Sequence, residues 1–443
     1  MQTLSITFKN HPLFEDQTID LNNSEIILLI GDNGIGKTLF VEECCLRGGR
    51  LSTAFTPGND FPKAQPNTKI TLSFSKEDIK LFNIYLLKEI NIEVDIPTMI
   101  TFKNNNGNLD FEVNNDTYSL PSHPKVFFDS FFHEISSNNM YGDNSAYENF
   151  GLGITFRRSY MSKDPIEKLK KHIEQHHNPE KNKKYIIDDI KTLSGIDLSR
   201  FVNAEDDAAI GHAKTYSTGE FQIAMNSFYL LLTLFDPKES KWLLVEEPEN
   251  FLNPKLQKEY IEKIFYTEFP ERKTQIQKFI TSHSPYVVQS AFNYEKNKGK
   301  GLKILRFNKK EGGKVCISDI KIENATFNEI NYLAFDFPTP ELHNELYGDL
   351  QEKAIEEQEG NSYEKKFDGW LAKKLKIKSL CIWKKVKKDQ SIEKQSRTIQ
   401  TYIRNSIHHP ENKENKPYSD QNLKLSIKSM INLRRQLEND RMS

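Results

Sequence analysis

Residues 31–38 read "GDNGIGKT", with four residues between Gly31 and Gly36 and then Lys37 and Thr38, which is the GxxxxGK[ST] spacing. Glycines there let the backbone amides of Gly31, Asp32, Asn33, Gly34, Ile35 and Gly36 wrap a polyphosphate; a lysine reaches its β and γ oxygens, and a hydroxyl at Thr38 ligates magnesium. Transfer of a phosphoryl group to water also needs a carboxylate on the metal and a second group to polarise the water. The stretch "WLLVEEPEN" offers both, with Glu246 on the metal side and Glu247 as general base. A third constellation lies near the end of the chain in "IRNSIHHPEN". Arg404 is followed directly by Asn405 and, five positions on, by His409, with His408 beside it. A histidine can take a proton from a ribose 2′-hydroxyl while a guanidinium stabilises charge on the phosphate, so this pair could cut RNA without metal. The same residues also suit a polar helix end before Pro410.

The elements that must hold these groups are legible around them. "EIILLI" is an almost wholly apolar run, as a buried strand of a parallel sheet requires, and "LFVEECCLRG" after the glycine loop has a helical pattern. "KWLLVEEPE" and "QKFITSHSP" read as buried strands ending in polar residues, with "FQIAMNSFYLLLTLF" and "KLQKEYIEKIF" as helices beside them. "LKILRFNKKEGGKVCI" predicts a hairpin turning at Gly312 and Gly313. Residues 50–215 read as a mixed α+β insertion with a helical hairpin over 164–193. In the C-terminal part, "IEKQSRTIQTYI" predicts a helix leading into the Arg404 motif. "YSDQNLKLSIKSMINLRRQL" predicts another, capped by Ser419 with Leu423, Ile427 and Met430 inward. Trp370 and Trp383 read as core residues of amphipathic helices.

"YSTGEFQ", with Ser217, Thr218, Gly219 and Glu220, resembles the signature loop of ABC ATPases. "EEPENFLNP" is similar to the "DEPExxLHP" run of SMC-like and OLD-like ATPases, with Glu246 standing where that run has Asp, and "ITSHSP" resembles their switch segment. The resemblance implies an α/β fold, a P-loop ATPase head of the ABC type over residues 1–310, using ATP and Mg2+, with His283 as sensor of the γ-phosphate. It further implies that Ser217, Thr218, Gly219 and Glu220 contact the nucleotide of a second copy, so that two heads pair as a dimer or higher oligomer. Soluble ATPases of this kind resemble those of bacterial anti-phage defence, and residues 311–443, expected to be mostly helical, resemble the HEPN ribonuclease end of ABC-ATPase anticodon nucleases. That implies RNA, tRNA included, as substrate. A sensor or scaffold ATPase holding a separate effector protein, and a DNA-repair ATPase, are the rival readings.

Composition bounds the rest. Of 443 residues 37% are hydrophobic, enough for sizeable cores, and the formal net charge is −1. That balance is asymmetric: Asn361–Ser443 holds 20 Lys and Arg against 9 Asp and Glu, a net of +11, so the preceding residues carry −12. A basic end suits a polyanion. No apolar run reaches membrane-spanning length and "MQTLSITFKN" reads as a strand, so the expectation is a cytoplasmic protein without membrane contact. The cysteines show no CxxC spacing, and the expectation is packing thiols. "HIEQHH" is not an HExxH site, because its glutamate falls in the wrong place.

Overall fold

The computed structural model describes residues 1–46, 67–105, 108–114, 116–120, 127–128, 130–135, 188, 191–192, 195, 219–220, 223, 226–227, 230, 240–259, 275–298, 301–320, 325–357, 364–377, 379–387 and 389–442. The chain divides into two compact units, Met1–Lys321 and Ile322–Ser443. Ser217, Thr218 and nearly all of the expected helical hairpin over 164–193 lie outside the described residues.

In the first unit the strands are β1 (Gln2–Lys9), β2 (Gln17–Asp20), β3 (Ile26–Ile30), β4 (Asn67–Ser73), β5 (Met99–Asn105), β6 (Asn108–Val113), β7 (Asp116–Leu120), β8 (Phe132–Ile135), β9 (Ser240–Glu246), β10 (Gln275–Ser282), β11 (Leu302–Lys309) and β12 (Val315–Asp319). The helices are α1 (Lys37–Cys44), α2 (Lys76–Ile90) and α3 (Pro285–Lys298). One sheet has the order β12-β11-β3-β10-β9-β8, all its pairings parallel except β11 with β12. Every residue of β3 is buried, as its unbroken apolar run predicts for a strand flanked on both sides. Because β3, β9 and β10 run parallel, their C-terminal ends open on one edge of the sheet, the edge where open α/β sheets bind ligands.

The second sheet, β2-β1-β4-β5-β6-β7, is antiparallel. Residues 67–120, expected to belong to an insertion, are thus four of its six strands and pair through β4 with β1. The two sheets share one core, in which Phe8, Phe14, Phe40 and Phe307 meet at ring distances of 4.6 to 6.4 Å. Burying such rings stabilises by about 1.5–3 kcal/mol each. Helix α2 starts with a reciprocal capping box: Asp78 N donates to Ser75 Oγ at 3.1 Å and Ser75 N to Asp78 Oδ2 at 2.9 Å. Gly312 and Gly313, both at positive φ, turn the β11–β12 hairpin. Because β12 closes the parallel sheet, the division falls after Lys321 rather than after residue 310.

The second unit contains α4 (Phe327–Phe335), α5 (Pro340–Glu356), α6 (Glu364–Lys374), β13 (Cys381–Val386), β14 (Ile392–Arg397), α7 (Ile399–His408) and α8 (Asp420–Met442). It is mostly helical, with one departure from expectation: β13 and β14 form an antiparallel hairpin where "CIWKK" and "IEKQSR" read as helix. The reason is local. Asp389 Oδ1 accepts from both N and Oγ of Ser391, fixing a turn, and Thr398 caps α7 by accepting from Thr401 N, so helix begins only at Ile399. Trp383 is buried, but on a strand, with its ring edge-on to Tyr402 at 5.5 Å. Helix α8 matches expectation: Ser419 Oγ accepts from Asn422 N at 3.2 Å, and Leu423, Ile427 and Met430 are buried against Leu346, Leu350 and Phe367. Among the described residues no helix is long and apolar enough to cross a membrane.

Candidate functional site

The loop of residues 31–36 leaves β3 and enters α1 through backbone that only glycine adopts comfortably. Gly31 has φ +144° and Gly36 has φ +99°; a Cβ on Gly31 would lie 2.7 Å from the Phe307 carbonyl oxygen and one on Gly36 2.4 Å from Leu13 Cδ2. Gly36 caps α1 without any side-chain hydrogen bond, so the first-turn amides of that helix remain available to an anion. Asp32, Asn33 and Gly34 are exposed while Ile35 anchors the loop in the core.

Lys37 folds back over this loop. Its Nζ donates to the carbonyl oxygens of Gly31 at 2.9 Å and Asp32 at 3.0 Å, and lies 3.0 Å from His283 Nε2. Burial pulls its ammonium below the usual lysine value, against the pull of Glu247, Asp32, Glu249 and Glu246. Thr38 Oγ1 donates to Glu246 Oε1 at 2.6 Å, joining the end of β9 to the start of α1. A hydroxyl and a carboxylate so placed fit magnesium. No group of three or more His, Cys, Asp or Glu side chains among the described residues could hold a metal alone, and magnesium in such sites takes its other ligands from phosphates and water.

His283, at the end of β10, reaches Glu247 Oε1 at 3.3 Å, while Asn250 Nδ2 donates to Glu247 Oε2 at 2.8 Å. The His283 hydrogen bond is the main cause that holds the Glu247 carboxyl down at about 2. Glu247 itself sits at φ +44°, and its N–H donates to Thr281 O at 3.0 Å, so the turn after β9 is pinned to β10. Lys37, His283 and Glu247 therefore form one connected chain across three strand ends.

Two residues here escaped sequence reasoning. Glu249 is buried, and its Oε1 accepts from His283 N at 2.7 Å and Ser282 Oγ at 2.9 Å, which fixes the backbone that carries His283. Burial raises its pKa, and Oε2 has no hydrogen-bond partner among the described residues. Asn250 is the other. Its position three residues beyond the expected base was the available signal, since a turn brings such a residue back beside it. Gly219 lies against this turn, where a Cβ would meet Phe251 O at 2.8 Å; Glu220 is helical and exposed.

In the second unit the Arg404 motif occupies the last turns of α7. Arg404 Nη1 donates to Asn405 Oδ1 at 3.0 Å, its guanidinium lies 5.9 Å from the centre of the Tyr347 ring, and Glu364 Oε2 stands 3.7 Å away. His409 is the C-terminal cap of α7, exposed, with Nδ1 3.2 Å from Glu411 Oε1 and its ring 6.4 Å from Trp383. His408, four residues after Arg404, lies on the same side of the helix. Slight burial and the charges of Arg404 and His409 lower its pKa. The start of α7 is fixed by Asp368, whose Oδ1 accepts from Thr398 N at 3.0 Å and Thr398 Oγ1 at 2.7 Å.

Residues 216–289 match the family described as "AAA domain, putative AbiEii toxin, Type IV TA system". That segment contains Ser217, Thr218, Gly219, Glu220, Glu246, Glu247, Glu249, Asn250 and His283. None of the curated proteins matches the chain. Among solved structures, the SMC head domain from Thermotoga maritima is 11% identical, with 73% of this chain and 100% of that chain covered and a TM-score of 0.41. The recombination mediator protein RecF is 13% identical, with 71% and 97% covered and a TM-score of 0.33. The cbiO1 protein from Clostridium perfringens, part of an ABC transporter complex, is 10% identical, with 71% and 88% covered and a TM-score of 0.33.

Proposed function

We propose that the first unit binds and hydrolyses ATP. The observation that carries this reading is the meeting, at one edge of the parallel sheet, of Thr38 with Glu246 and of Lys37 with His283 and Glu247. The amides of residues 31–36 and the α1 N-terminus bind the phosphates, and Lys37 exchanges its carbonyl partners for their terminal oxygens. Thr38 and Glu246 would hold a magnesium ion, which supplies charge neutralisation on the β- and γ-phosphates. Glu247, ionised and held by Asn250, accepts the proton of the attacking water, and His283 donates to the γ-phosphate. Gly219 and Glu220, with Ser217 and Thr218, complete the site of a second copy, so ATP pairs two chains.

The nucleotide state then controls the second unit, whose basic stretch Asn361–Ser443 takes RNA for cutting in antiviral defence. Supporting this are the Arg404–Asn405 pair with two adjacent histidines at the end of α7, the charge of +11 over Asn361–Ser443, and the toxin-family match of residues 216–289. The test is incubation of the purified protein with total tRNA, with and without ATP and with EDTA, alongside Arg404→Ala, His408→Ala and His409→Ala. Cleavage that survives EDTA, leaves cyclic phosphate ends and disappears in Arg404→Ala and in one histidine variant supports the reading; no cleavage in any nucleotide state contradicts it. A second reading has its own observation. Arg404 is already engaged by Asn405 and Glu364, as befits a unit that holds a separate effector protein instead of cutting RNA. Under that reading the same substitutions alter effector binding alone.

A further inference from the structure

Glu364, the first residue of α6, collects cationic and amide donors from three places. Arg397 Nε, at the end of β14, donates to its Oε1 at 2.9 Å; Asn405 Nδ2, on α7, donates to the same oxygen at 3.3 Å; Arg404 Nη1 stands 3.7 Å from Oε2. The exposures differ in a telling way. The Arg397 side chain is 9% exposed and that of Asn405 is buried, while Arg404 at 34% and Glu364 at 35% face outward. Arg397 Nη1 also donates to Ser396 O at 3.1 Å and Nη2 to Gln395 Oε1 at 2.7 Å, and Arg404 is steadied by the Tyr347 ring. The result is a cradle of two guanidiniums and an amide, rigid at its base and open at its rim, with one carboxylate inside.

We propose that Arg397, Arg404 and Asn405 form an anion site for one backbone phosphate of single-stranded RNA, and that Glu364 occupies it in the resting protein. Geometry and charge both favour this ligand. A phosphodiester presents two anionic oxygens in the fork that a guanidinium recognises, as a carboxylate does, so the exchange preserves the contacts. Moving Glu364 out with nothing in its place would leave the buried Arg397 without its counter-charge, which is costly, so the site opens only against an incoming anion. Arg404 is the shared member: it belongs to the RNA-cutting motif and is held by Glu364 until the phosphate arrives. The inference rests on the reading that the second unit takes RNA, and adds to it a second arginine and a built-in competitor.

The experiment measures binding of the full chain to a short single-stranded RNA whose 2′-hydroxyls are all methylated, so that it cannot be cut. In Glu364→Gln the amide oxygen still accepts from Arg397 and Asn405, which preserves the fold, but the negative charge is gone. The variant is expected to bind on the order of tenfold more tightly than the wild type, with a steeper salt dependence, and Arg404→Ala added to it removes the gain. Inorganic phosphate is expected to compete for the gained binding. Glu364→Ala, which also vacates the cradle, is expected to show the same gain if it folds. A folded Glu364→Gln that binds as the wild type does, a gain that survives Arg404→Ala, or a gain insensitive to phosphate each overturns the proposal. Because the probe cannot be cleaved, a failure of the ribonuclease reading appears separately, as intact tRNA in a protein that still binds.

Discussion

At the scale of single residues, the proposed ATP site is a set of hydrogen-bonded polar groups whose protonation states decide what each group can do. Glu247 is held at about 2 by His283, so it stays ionised throughout the ordinary pH range, as the proposed base must. Its hydrogen bond from His283 is the largest contribution, and His283→Ala therefore moves the carboxyl back toward its usual 4.5. The expected outcome is that the fall of kcat/KM on acidification begins at higher pH in His283→Ala than in the wild type, in addition to any uniform loss. Glu247→Gln keeps the shape and the contact with Asn250 but removes the base, and should lower kcat by about 10²–10³-fold while ATP still binds. Equal turnover by Glu247→Gln in a phosphate-release assay would remove Glu247 from the mechanism.

At the scale of elements, stability depends on where polar groups are buried. His343 on α5 is fully buried, its Nε2 3.0 Å from Ser426 Oγ on α8, and burial lowers its pKa to about 4. Such a group stays neutral in the folded protein while the unfolded chain protonates it below about 6.5. Stability is therefore complete above pH 6.5, falls as pH drops from 6.5 to about 4, and then levels, with a total contribution of up to ~3 kcal/mol. Melting curves of His343→Leu should show a flatter pH dependence over that window than those of the wild type. His11, packed against Phe8 and Phe14 and also lowered to about 4, adds the same sign of effect in the first unit. In the phosphate loop, Gly31→Ala sets a Cβ against the Phe307 carbonyl, and should cost about 2 kcal/mol in thermal unfolding.

The strands and loops of the proposed ATP site were legible in the sequence because local chemistry determines them. The apolar run of β3 and the glycine spacing before Lys37 specify their conformation without help from distant residues, and Glu246, Glu247 and His283 follow as ends of buried strands. Arg404 and its histidines were legible only as a short pattern, since nothing in that pattern says what faces them. Glu364 lies 40 positions before Arg404 and meets it only because α6 and α7 both pack on α5, an arrangement that no periodicity encodes. The β13–β14 hairpin escaped for a related reason: its lysine-rich strands alternate too weakly to exclude a helix, and the burial of Trp383 against Tyr402 settles the matter.

At the scale of the whole molecule, ATP held at the edge where β3, β9 and β10 end is proposed to be both hydrolysed and used to pair two copies of the chain. Trapping the bound state should therefore shift the oligomer: Glu247→Gln with ATP and magnesium is expected to run as a dimer or larger in light scattering, while Lys37→Ala stays in the nucleotide-free state. The most direct measurement is phosphate release from ATP by the purified wild type, Lys37→Ala and Glu247→Gln, with magnesium and with EDTA. Turnover by the wild type that needs magnesium and is lost in both variants is expected. Turnover retained in Lys37→Ala or Glu247→Gln, or none in the wild type under any condition, would contradict the proposed hydrolysis.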